Sequence, residues 1–280
     1  TTVTESGLKQ QLVVPYNPDV AIRLATQMIY GMDRDSGKKL WERQTPTCRP
    51  IFAESKDRVF VPNKSNGVDV LDKRTGEKLT QEYLGVGTID GLLHDEDVLF
   101  VASRDSVAAY RVDGFQRQWE EKVPVFELAK FGSNLFVSLD NYKGLLALNP
   151  SSGETKWYSQ EGVRHVTADD SGAYGNKFEL IKKVDKDGRK IWESEVVDAP
   201  VSVMNAHGDR LYLATIVGKI SALDKNSGGK IWQTLLDQSN IVFPWQVQCV
   251  DDAVEITVTQ PHYARESKVI RLSSYTGELR

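Results

Sequence analysis

Four histidines, His94, His165, His207 and His262, and two cysteines, Cys48 and Cys249, are the side chains of this 280-residue sequence best suited to ligate a metal or serve as base or nucleophile. None has the close spacing of a zinc motif, and no Gly-x-Ser-x-Gly elbow, phosphate loop or EF-hand accompanies them. The expectation is therefore free or buried thiols, and turn positions for His94 and His207. His165 is different, because Arg164 beside it could form an anion-binding pair. The other polar candidates are Arg49, Asp90, Glu127, Asn205 and Gln248. With Arg164 and His165 they could hold a metal or small ligand if the fold gathers them around one channel. No catalytic or metal-ligating residue is assigned.

What would position these groups is a repeat. Seven turns resemble Asp-x-x-Ser/Thr-Gly, with glycines at Gly37, Gly76, Gly114, Gly153, Gly188, Gly228 and Gly277, a period near forty residues. In five of them a tryptophan follows four or five positions later, at Trp41, Trp119, Trp157, Trp192 and Trp232. A fixed period of this length marks a repeat architecture. Within one period, short β-branched and aromatic runs such as Arg58–Val61 and Val68–Leu71 alternate with turn residues, which reads as strand, hairpin, strand. Four antiparallel strands per forty residues form a propeller blade. The expected fold is one all-β domain over residues 1–280, a seven-bladed β-propeller of four-stranded blades. A stacked solenoid is the alternative. The last turn ends at Arg280, one residue short of its tryptophan, so the stretch before Pro15 is expected to pair with the last blade and close the ring.

The turn residues have a physical reading. A short side chain with an oxygen acceptor precedes each glycine and can bond a nearby backbone N–H, while the glycine takes positive φ without a Cβ penalty. The repeated carboxylates are thus turn formers, not catalytic acids. The tryptophans are expected to lie over the neighbouring sheet and fill the space between blades.

The run Ala222–Trp232 (ALDKNSGGKIW), with Leu146–Trp157 and Val70–Leu79 close behind, resembles the repeat of the PQQ-like, or quinoprotein-like, β-propellers. The resemblance covers essentially the whole chain and implies the fold. It says less about activity, because the family includes dehydrogenases, BamB-like assembly lipoproteins, sensor domains and scaffolds. Its quinone enzymes hold their cofactor over a disulfide between adjacent cysteines. Cys48 and Cys249 are far apart, so a non-quinoprotein member without PQQ or other cofactor is expected. The resemblance also leans towards an extracytoplasmic, periplasmic location, although the given chain shows no signal peptide.

A net charge of −4, with lysines and arginines scattered, gives no cationic stripe for a phosphate backbone, and no apolar run of 18 residues could span a membrane. The expected partner is a protein, with the chain a monomer or part of a larger assembly. The last repeat is the longest, with 49 residues between Gly228 and Gly277. Its extra residues lie in two loops that a propeller presents on one face. Phe243, Trp245, His262, Tyr263 and Arg265, extended by Tyr142, are the expected docking surface. A non-catalytic scaffold or assembly factor is the favoured reading. A propeller enzyme of lactonase or cyclase type and a ligand-sensing domain are the alternatives.

Overall fold

The computed structural model describes residues 20–25, 28–33, 38–45, 51–195, 199–236, 243–259 and 267–280. They form seven separate antiparallel sheets in chain order, called blades 1 to 7 here. Blade 4 is representative, with strands Val125–Phe131, Asn134–Leu139, Leu145–Leu148 and Thr155–Ser159 from the inner edge outwards. Its second and third strands are almost wholly buried, whereas its outer strand is mostly exposed. That difference follows from position: the middle strands are covered by neighbouring blades on both faces, so apolar residues run on without alternating.

Apolar packing accordingly lies between blades. One cluster joins Val59, Val61 and Leu71 of blade 2 to Val20, Ile22 and Ile29 of blade 1, and another joins Phe60 and Val70 to Leu99 and Tyr110 of blade 3. The same arrangement continues to the junction of blades 6 and 7. Val20–Ala25 of blade 1 touches Ser267–Ser273 of blade 7, so the ring closes on itself.

Two blades depart from the expected four strands. Among the described residues, blade 1 has three, the last being Lys39–Gln44, and blade 7 has Phe243–Val250, Ala253–Thr259 and Ser267–Ser273, with Leu279 bridging to Leu272 where an outer strand would begin. The stretch before Pro15, expected to complete the ring, lies outside the described residues.

The repeated turn is built from short hydrogen bonds. Asp224 Oδ1 accepts from Asn226 N, Ser227 N and Ser227 Oγ, and Asp72 Oδ1 is held the same way by Arg74 and Thr75. These bonds, led by the backbone N–H of Ser227 and of Thr75, hold both carboxyls below the usual carboxylate range. Each of the five turn tryptophans then reaches into the next blade's turn. Trp41 Nε1 donates to Lys73 O, Trp119 to Pro150 O, Trp157 to Lys186 O, Trp192 to Lys225 O and Trp232 to Ser274 O, at 2.7–3.0 Å. The indole also covers the glycine of that turn. At Gly76, where φ is +70°, an added Cβ would lie 2.5 Å from the Trp41 ring, so both the backbone conformation and the space demand glycine. Gly153, Gly188, Gly228 and Gly277 sit under tryptophans in the same way, while Gly37 lies outside the described residues.

The junction between blades 2 and 3 is built differently. Thr80 occupies the tryptophan position of blade 2, and a Cβ on Gly114 of blade 3 would meet nothing within 4 Å. Phe115, the next residue, packs instead against Phe60 with ring centroids 6.3 Å apart. The equivalents of Phe60 in blades 3 to 6, Phe100, Phe136, Tyr174 and Tyr212, each contact the tryptophan of their own blade.

Candidate channel mouth and partner-binding face

The inner strands begin irregularly, and this irregularity sets the rim of the ring. In blades 3, 4 and 6 the second position, Asp90, Phe126 and Ser202, and in blade 7 the third, Trp245, is an extra residue in the pairing with the next strand. In blade 5, Arg164 and His165 both oppose Asn176, before the inner strand Val166–Asp169 starts. A two-against-one bulge bends the strand and re-aims its side chain. His165 therefore precedes the inner strand rather than lying on it.

Three expected channel residues meet where blades 4 and 5 join. The Arg164 guanidinium lies 4.6 Å from the Phe126 ring centroid, and His165 approaches the same ring edge-on at 5.5 Å. Glu127 Oε2 is 3.2 Å from His165 Nδ1 and accepts from Val166 N at 2.9 Å. Ser138 Oγ donates to Arg164 O at 2.7 Å. Glu127 is thus tied to the neighbouring blade through side chain and backbone. The arrangement clasps two blades and presents Arg164 to solvent.

The other channel candidates are dispersed. Asp90 lies on blade 3 beside a separate cavity. Gln248 is buried and donates to Glu255 at 2.7 Å, and Glu255 accepts from Arg271 at 2.9 Å. Asn205 is buried with neither side-chain polar atom hydrogen-bonded. Arg49 lies outside the described residues. Among those residues no three His, Cys, Asp or Glu side chains come together as a metal set. Burial pushes the Cys249 thiol up to about 12, far from thiolate chemistry at neutral pH. Burial also lowers the affinity of His94 and His207 for protons; His94 stacks on Phe60 at 5.3 Å within its strand, not in a turn.

The loops that join second to third strands, and those that pass between blades, emerge on one face. Tyr142 of blade 4 and Phe178 of blade 5 pair there with ring centroids 4.9 Å apart. Both hold φ of +56°, a conformation that bulky side chains adopt only when their surroundings impose it. Part of that constraint is visible at Gly162, where a Cβ would stand 2.1 Å from Tyr142 O. Phe178 is 51% exposed, and Ile216 and Val217 on the corresponding loop of blade 6 are 41% and 39% exposed. Asn176 couples this loop to the channel mouth, accepting from His165 N at 3.0 Å and donating to Phe178 O at 3.1 Å.

Of the expected docking residues, only Tyr142 can be placed fully. His262, Tyr263 and Arg265 lie outside the described residues, and the side chains of Phe243 and Trp245 are likewise not described. Sequence reasoning missed Phe126, Asn176, Phe178, Ile216 and Val217. Asn176 carried a signal, a lone amide in the strand Gly172–Lys177 at a position where blades 3 and 6 have alanine.

Seven antiparallel sheets closed in a ring, locked by a repeated turn and tryptophan, define a PQQ-like β-propeller. The sequence profile described as "Outer membrane protein assembly factor BamB" matches residues 25–171 and 177–279, and the chain belongs to that family. No curated protein sequence matches it. Among solved structures, BamB from Moraxella catarrhalis is similar at a TM-score of 0.63 with 14% identity, covering 86% of this chain and 76% of that one. The computationally designed Ika8 protein is similar at 0.70 with 14% identity, covering 90% and 80%. At that identity the likeness concerns the fold. No helix among the described residues is long and apolar enough to cross a membrane.

Proposed function

We propose that this chain is a non-catalytic scaffold, an assembly factor in the broad sense, that holds a protein partner on the loop face of its ring. Its family supports a role in assembly and an extracytoplasmic location. The observation that carries the reading is the Tyr142–Phe178 pair, continued by exposed Ile216 and Val217 and flanked by Arg164 at the channel mouth. Aromatic, aliphatic and arginine side chains on a rigid support are the usual centre of a protein interface. Strained loops pinned by Gly162 and Asn176 present them without a large ordering cost on binding.

The test is site-specific photo-crosslinking in cells from Phe178 and Ile216, with Tyr275 on the opposite face as control, followed by affinity measurement with the purified partner. One protein captured from the first two positions and not the third, bound about tenfold or more weakly by Phe178→Glu, is the expected result. Unchanged affinity of Phe178→Glu and Val217→Glu for that partner would refute the assignment of this face.

A further inference from the structure

We infer a second site on the same face, in blade 3, that takes a small ligand presenting a carboxylate beside an N–H or O–H donor. It does not depend on the partner surface proposed above. The loop Leu84–Thr88 enters blade 3 and, with the turn at Arg104 and Asp105, borders an open cleft of about 460 Å³. That volume is within the usual range for small-ligand sites. The loop is fixed at its base, since Tyr110 Oη donates to Leu84 O at 2.6 Å and the Leu84 and Val86 side chains are buried. Between these anchors, Gly85 and Gly87 are exposed, and the amides of Gly85, Val86, Gly87 and Thr88 donate to no protein acceptor among the described residues. Successive unpaired amides in a glycine loop form a concave donor surface suited to an anionic oxygen.

The charges on the wall sharpen the ligand class. Lys122 is committed to Glu120, which Arg117 also holds at 2.8 Å, whereas Arg104 has no ion pair among the described residues. Arg104 is then the cation available to a ligand, and its planar guanidinium matches a carboxylate in two parallel hydrogen bonds. Asp105, exposed beside Arg104 on the same turn, suits an N–H or O–H donor of the ligand, and Asp90 adds negative charge to that wall. The lining is mostly polar, since the Val86 side chain turns into the core, and no aromatic is present to stack on a base or sugar. A free amino acid supplies that donor as its ammonium and a peptide C-terminus as its last amide N–H, so an α-carboxylate from either source satisfies these features.

The experiment is titration of ¹⁵N-labelled protein with triglycine, triglycine amide and glycine. Triglycine is expected to shift the amides of Gly85–Thr88, and the amide form to bind at least about tenfold more weakly. Glycine binding as well as triglycine would assign the free amino acid as source, and weaker glycine binding the peptide terminus. Arg104→Gln, on an exposed turn, should weaken triglycine about tenfold. Gly87→Val, whose Cβ enters open space, should do so by filling the cavity. Phe178→Glu should leave it unchanged, which separates this site from the partner face. No shifts up to ~20 mM triglycine, equal binding of the amide, or unchanged binding by Arg104→Gln would overturn the inference.

Discussion

Phe115, from the turn of blade 3, lies against Phe60 of blade 2 and fills the space that a tryptophan occupies at five other junctions. One blade has thus exchanged the usual wedge for one supplied by its neighbour. Phe115 holds φ of +49° to do so, a cost repaid by apolar contact with the cluster around Phe60 and Tyr110.

Phe115→Ala should therefore destabilise the fold by about 2–4 kcal/mol despite the turn's surface position. Adding Thr80→Trp in that background should recover at least half of the loss, as read by urea denaturation. A double variant no more stable than Phe115→Ala would mean that the two residues do not share one space.

Trp41 tests the standard lock. Trp41→Ala should cost about 3–5 kcal/mol by loss of packing, and Trp41→Phe about 1 kcal/mol for the hydrogen bond to Lys73 O. Gly76→Ala should be as harmful as the larger of these, since it strains the backbone and strikes the indole. Equal stability of the Ala and Phe variants would remove the packing argument.

The buried pair of Asp169 and Lys225 joins blades 5 and 6 and should give the fold an acid-sensitive junction. Burial alone would raise the Asp169 carboxyl, but hydrogen bonds from Lys225 and Ser171 outweigh it and hold the group below its ordinary value. A depressed carboxyl stabilises the folded state above the unfolded pKa of about 4 and loses that contribution as pH falls through the folded value. Asp169→Asn should cost about 3 kcal/mol at pH 7, a difference that stays constant down to about pH 5 and shrinks below about pH 4. A difference that grows on acidification would contradict this sign.

The Cys249 thiol, raised by burial, should react with a disulfide reagent only as fast as the protein opens. Its rate should rise in step with urea-induced unfolding. Reaction with native protein at the rate of a model thiol would show the site to be open.

The docking surface and the channel were legible to different degrees. Glu127, Arg164 and His165 could be named because charged side chains near the start of an inner strand are conspicuous, and the fold brings these three together. Phe126 and Phe178 look like core residues in a one-dimensional reading, because a bulge and a left-handed turn, which turn such residues outwards, leave no clear mark in the pattern. The long loops of the last repeat stand out in the sequence by their length and by their aromatic and arginine content.

By itself the sequence determined the number of blades and the chemistry of each turn, because those depend on contacts within a few residues. Asp72 with Arg74 and Thr75, and Asp224 with Asn226 and Ser227, are local pairs repeated at a fixed period. Only the tertiary structure decided which groups meet between blades. Trp41 reaches Lys73, Glu127 reaches His165, and Phe60 receives Phe115 across separations of about one repeat or more. Such contacts depend on how two complete sheets pack, and the same forty-residue pattern allows a tryptophan wedge at one junction and a phenylalanine from the opposite side at another.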